Sequence, residues 1–144
     1  MPTYLLLLAL GCTPANAAMY APHVAYWSAR MGIDEGQAAA VLTSESHCRP
    51  WVRSHGGDFG GWQLRRGAAT MGKHRYSEEQ LHMPSLSTFL ALRWMALGRD
   101  RCGPGPLMLG WYGSGKCGHG KKYARRVMHR LAHAQDKLAT GGAR

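Results

Sequence analysis

The chain has 144 residues, a formal net charge of +10, and apolar residues at 45%. That length suits one domain with a modest core, and that apolar content excludes a disordered polymer. The excess of Lys and Arg points to an anionic partner, whether nucleic acid, acidic lipid or an acidic wall polymer.

At the N-terminus, Tyr4 to Leu10 is a short apolar run, followed by Pro14 and the small-x-small segment Ala15-Asn16-Ala17. A bilayer-spanning helix needs about 20 apolar residues, so this run is too short to span. It resembles a signal peptide, although no Lys or Arg precedes it. The expectation is export, with residues 1–17 as a leader, 18–139 as the domain and 140–144 as a disordered tail. Lipid attachment at Cys12, which follows Ala9-Leu10-Gly11, is the alternative.

Removal of the leader would leave Cys48, Cys102 and Cys117. An oxidising compartment permits disulfides. Cys102 and Cys117 bracket a Gly/Pro-rich loop and are expected to pair, which would leave an odd thiol. Zinc held by Cys117 and His119 is the rival reading, but no Cys-x-x-Cys or His-x-x-x-His pair supports it. No metal and no cofactor is expected.

Val24, Trp27 and Met31 give helical spacing from about Pro22 to Met31, stopped by Gly32. Asp34 then opens a second helix, with Gln37 placed as its capping-box partner. That helix carries Val41 and Leu42 and delivers Glu45 near its end. The negative end of the helix dipole disfavours a carboxylate there and raises its pKa. Residues 50–62 hold four glycines and a proline and read as an irregular or hairpin segment. Ser77-Glu78-Glu79-Gln80 is a second capping box, and Leu86 to Leu97 an amphipathic helix ending at or soon after Gly98. Gly103-Pro104-Gly105-Pro106 is a turn, Leu107 to Tyr112 a short helix, and Lys121 to Leu138 a final amphipathic helix. The fold class is mostly α, with a small irregular or hairpin segment.

Eight acidic residues are few enough to sort singly. Asp34, Glu35, Glu78 and Glu79 sit at helix starts, where capping and the dipole account for them. Asp100 lies between Arg99 and Arg101, and Asp136 lies on the basic final helix. Glu45 and Asp58 remain, flanking the Gly-rich segment. By elimination Glu45 is either a catalytic acid or a buried structural one, and Asp58 is either catalytic or a turn aspartate bonding its own backbone.

The pair Glu45-Ser46 is followed by Pro50, Ser54, Gly57, Gly60 and Gln63. This spacing resembles the core motif of the soluble lytic transglycosylase and goose-type lysozyme superfamily. Leu109 to Gly115 resembles the family's Ala-Tyr-Asn-Ala-Gly segment, with Tyr112 at the tyrosine and Gly113 where the family has asparagine. Tyr123 to Val127 resembles its closing Tyr-x-x-x-Val helix, and Gly61-Trp62 replaces the usual Leu-Met before Gln63. The resemblance implies a lysozyme-like single domain that cleaves peptidoglycan glycan strands as a monomer. Glu45 would serve first as acid and then as base, giving 1,6-anhydro ends. Ser54, Trp62, Gln63, Tyr112 and Tyr123 would contact or shape the sugar site. Asp58 matches the goose-type pattern instead, where it would position a water for hydrolysis. A basic wall-binding module without catalysis is the non-enzymatic alternative. Nucleic acid is not expected, because no groove-reading motif is present.

Overall fold

A computed structural model describes residues 2–65, 67, 71 and 75–141. Among them are seven helices: α1 (Thr3–Ala9), α2 (Pro14–Met31), α3 (Glu35–Ser46), α4 (Glu78–His82), α5 (Pro84–Cys102), α6 (Pro106–Ser114) and α7 (Lys121–Ala139). The mostly α class expected from the sequence is the class observed. The expected hairpin reduces to two isolated antiparallel bridges, Arg53 with Phe59 and Phe59 with Leu64.

The helix ends follow from side chains present in the sequence. Asp34 Oδ1 accepts from the Gln37 amide at 2.8 Å and caps α3. Ser77 and Gln80 form a reciprocal capping box at α4. Gly32, left-handed at φ 64°, ends α2. Other ends differ from expectation. α2 begins at Pro14, because Thr13 caps it and proline is tolerated in a first turn. Pro84 separates α4 from α5, and α5 runs past Gly98 to Cys102 because the Trp111 ring packs directly over Gly98. Of the expected tail, 142–144 lie outside the described residues, while Thr140 still bonds the Asp136 carbonyl.

Helix α3 lies at the centre, packed against α1, α2 and α7. Its residues Ala38 to Thr43 are all buried, so it is apolar on every side. The two buried hydroxyls near its end are satisfied within the helix: Thr43 donates to the carbonyls of Ala39 and Ala40, and Ser46 to that of Leu42. Around α3, fully buried Leu7, Leu90, Leu92 and Met95 close the core. Each such side chain contributes about 1.5–3 kcal/mol relative to exposure.

The N-terminal segment is part of this core. Leu6, Leu7, Leu10, Cys12 and Ala17 are buried, and the residue-17 boundary falls inside α2. Cys12 is bonded to Cys48 across 36 positions, and Cys102 to Cys117 across 15. The second pair is the one expected; the odd thiol is corrected, since no described cysteine is free. The apolar run that reads as a leader has the same composition as a short core helix, and here it packs as one. No described helix is long and apolar enough to cross a membrane.

Candidate active site

Glu45 occupies the last turn of α3, where the central helix leaves the core. The turn that follows has two consecutive non-glycine residues in the left-handed region, His47 at φ 56° and Cys48 at φ 64°. Such conformations cost energy and persist where the surroundings hold them. Three contacts hold this turn: the Cys12–Cys48 disulfide, the His47 amide on the Thr43 carbonyl, and Arg49 Nε donating to the Ser46 carbonyl.

The Glu45 carboxyl opens into a cleft of about 570 Å³, lined also by Asp58, Gln63, Arg65, Trp94, Tyr112, Gly113, Tyr123 and Arg126. Tyr123 on α7 donates its hydroxyl to Glu45 Oε2 at 2.5 Å. Burial raises the Glu45 pKa above the ordinary glutamate value. The Tyr123 hydrogen bond opposes that rise, the negative field of Asp58 adds to it, and the positive field of Arg126 opposes it. Burial also holds the Tyr123 and Tyr112 hydroxyls protonated, so both act as donors. Tyr112 donates to the Trp62 carbonyl at 2.6 Å, pinning α6 to the Gly-rich segment across the cleft floor.

Asp58 has a different environment. Arg65 Nε donates to its Oδ1 at 2.8 Å, and Ser54 Oγ to its Oδ2 at 3.2 Å. Its own amide donates to Ser54 Oγ at 3.0 Å. Both carboxylate oxygens are therefore engaged by the protein, in the turn geometry that short polar side chains favour.

The other expected residues divide. Gln63, itself left-handed at φ 50°, lines the cleft, but its Nε2 is taken by the carbonyls of Val52 and Gly60. Ser54 is bonded to Asp58 and does not line the cleft. Trp62 is a correction. It is fully buried, with Nε1 donating to Thr88 Oγ1 at 2.9 Å, and presents no face to a sugar. Its neighbour Gly61 shows why the local sequence is Gly-Trp: a Cβ there would fall 2.3 Å from the Tyr20 hydroxyl oxygen. Gly113 is explained in the same way. A Cβ would lie 2.9 Å from the Tyr123 ring, so the asparagine of the resembling family would displace the residue that bonds Glu45.

Sequence reasoning missed Trp94, Arg65 and Arg126. Trp94 falls within the amphipathic stretch of α5, where nothing in the sequence singles it out, yet it lines the cleft and packs on Trp111 at 4.7 Å between ring centroids. Arg126 is one of several arginines on the final amphipathic helix, and its short-range i,i+3 relation to Tyr123 is the signal that places it beside the cleft.

No family model matches the chain. No curated protein matches it either. Among solved structures it is similar to an inactive glutamate-to-glutamine mutant of the lytic transglycosylase Slt from Pseudomonas aeruginosa, with a TM-score of 0.69 and 17% identity. The two share a fold. The match covers 82% of this chain and 24% of the other, so this chain spans about a quarter of that protein's length.

Arranged this way, the cleft presents one largely buried carboxyl of raised pKa, held by the Tyr123 hydroxyl, to whatever occupies it. Among the described residues no cluster of three His, Cys, Asp or Glu side chains is placed to hold a metal ion.

Proposed function

We propose that this chain is an exported peptidoglycan glycosidase of the lytic transglycosylase type, cleaving the β-1,4 bond from N-acetylmuramic acid to N-acetylglucosamine. The observation that carries the reading is a single buried carboxyl, raised in pKa, at the floor of a cleft whose fold matches a lytic transglycosylase. The solved neighbour is described as inactive with one glutamate changed to glutamine, which fits a one-carboxylate chemistry.

Glu45 gives its proton to the bridging oxygen as the C1–O bond breaks and the ring gains oxocarbenium character. The resulting carboxylate is stabilised by the Tyr123 hydroxyl, whose hydrogen bond favours the charged form. It then takes the proton from the sugar's own 6-hydroxyl as that oxygen bonds to C1. The sugar closes to a 1,6-anhydro end, and Glu45 returns to its starting state. A second nucleophilic carboxylate is not needed. One chain supplies the whole cleft, so a monomer suffices.

Hydrolysis is the second reading, favoured by Asp58 lining the same cleft and acting on Glu45 through its charge. The full-length chain incubated with peptidoglycan should clear turbidity, and Glu45→Gln should not. Equal clearing by both would overturn the assignment. Product masses separate the two chemistries, since anhydro ends are one water lighter than hydrolysed ends.

A further inference from the structure

Two arginines line the cleft, and they are not equivalent. Arg65 is matched by Asp58 at 2.8 Å. Arg126 lines the cleft beside Tyr123, with its guanidinium 6.0 Å from that ring's centroid, and forms no ion pair among the described residues. One turn further along α7, Arg130 approaches His47 Nε2 at 3.5 Å, just past the end of the Glu45 helix. With Asp58 offset by Arg65, Arg126 is the cleft cation left without a paired acid among the described residues, and its positive field reaches Glu45. A neutral glycan gives such a charge nothing to bind.

We infer that Arg126 is a specificity site that binds a carboxylate borne by the muramyl sugar seated against Glu45. This rests on the glycosidase reading and names its substrate class: glycan strands whose muramyl residues carry free carboxylates. The carboxylate has two sources, the stem peptide or, where the peptide has been removed, the lactyl ether. A planar guanidinium suits either through paired N–H donors, where a lysine offers only a point charge.

The test uses the full-length chain on three preparations of one wall sample. The first is intact; the second has its carboxylates capped as neutral amides; the third is stripped of peptides, so that only lactyl carboxylates remain. Wild type should cleave intact strands about tenfold faster, in kcat/KM, than capped strands, a typical effect of one charge-assisted contact. Arg126→Gln should bring that ratio to near one, and Arg126→Lys should retain part of it. A ratio unchanged in Arg126→Gln, or near one in wild type, would overturn the inference while leaving the glycosidase reading intact. Recovery of the preference on stripped strands assigns the contact to the lactyl group, and its loss there assigns it to the stem peptide. Sedimentation of Glu45→Gln with the same preparations provides a readout without turnover. Preferential binding to intact strands that Arg126→Gln abolishes, alongside a wild type that cleaves nothing, would keep the carboxylate site and refute the glycosidase.

Discussion

The two walls of the cleft each present one carboxyl group, and they treat it in opposite ways. On the α3 wall, Glu45 emerges from a helix buried on every side and has a tyrosine hydroxyl as its hydrogen-bond partner. On the loop wall, Asp58 sits in a Gly-rich turn with an arginine on one oxygen and a serine on the other. Burial pushes Glu45 toward holding its proton, whereas Arg65 and Ser54 occupy the two carboxyl oxygens of Asp58. Two groups of the same chemistry thus take different roles because their surroundings differ. The donor belongs to the dry wall.

The largest effect should come from Glu45→Gln, which removes the proton donor while keeping the shape. Turnover on peptidoglycan should fall by about 10²- to 10⁴-fold, the usual worth of general acid–base catalysis. The same variant tests the electrostatics through stability. A carboxyl whose folded pKa is raised binds more protons folded than unfolded, so stability falls as pH rises from the unfolded pKa through the folded one. Glu45→Gln should lack that decline, as melting temperatures across the acid-to-neutral range would show.

Next is Tyr123→Phe, which keeps the ring against Gly113 and removes only the hydroxyl. Because that hydrogen bond lowers the Glu45 pKa, its loss should move the alkaline limb of the pH–rate profile upward. The rate should fall about tenfold, in the range of one oriented hydrogen bond to a charged group. A purely structural tyrosine would lower the rate without moving the limb.

The dry wall also depends on the strained turn after Glu45 and on α1 beneath it. Cys12→Ser should destabilise the fold by about 2–4 kcal/mol, read as a lower denaturant midpoint. Deleting residues 1–17 should cost more, because it also removes the buried Leu6, Leu7 and Leu10 of the segment packed against α2, α3 and α7. A truncated chain as stable as the full one would show that α1 adds nothing to the core. The smallest effect is expected at Asp58. Asp58→Asn leaves Arg65 without its partner and should reduce turnover only a few-fold, a surface pair being worth about 1 kcal/mol or less. Its products should still carry anhydro ends. A loss as deep as that of Glu45→Gln would place the chemistry on both walls.

Much of this contrast was legible in the sequence. Elimination among the acids left Glu45 and Asp58, and the Asp34 and Ser77 caps fixed the starts of α3 and α4. The tyrosines at 112 and 123 were placed by the resemblance. What failed did so for identifiable reasons. Trp62 has a ring that suits a sugar or a core equally, and only the position of Thr88, distant in sequence, decided for the core. The leader reading of residues 4–10 is not among these failures, since an uncharged apolar run suits a leader and the buried α1 alike. Cys48 had no visible partner once Cys12 was assigned to a removed segment. Arg126 was one cation among many, and its value lies in which arginine is already paired, a relation set by the tertiary fold.

The central claim is that Glu45 is a shielded acid and Asp58 an ordinary, paired one. A carboxyl carbon-13 NMR titration of the full-length chain, with Glu45→Gln and Asp58→Asn spectra to assign the two signals, measures this directly. The expected result is a Glu45 midpoint above the free glutamate value of about 4.3. A Glu45 midpoint at or under that value would contradict it.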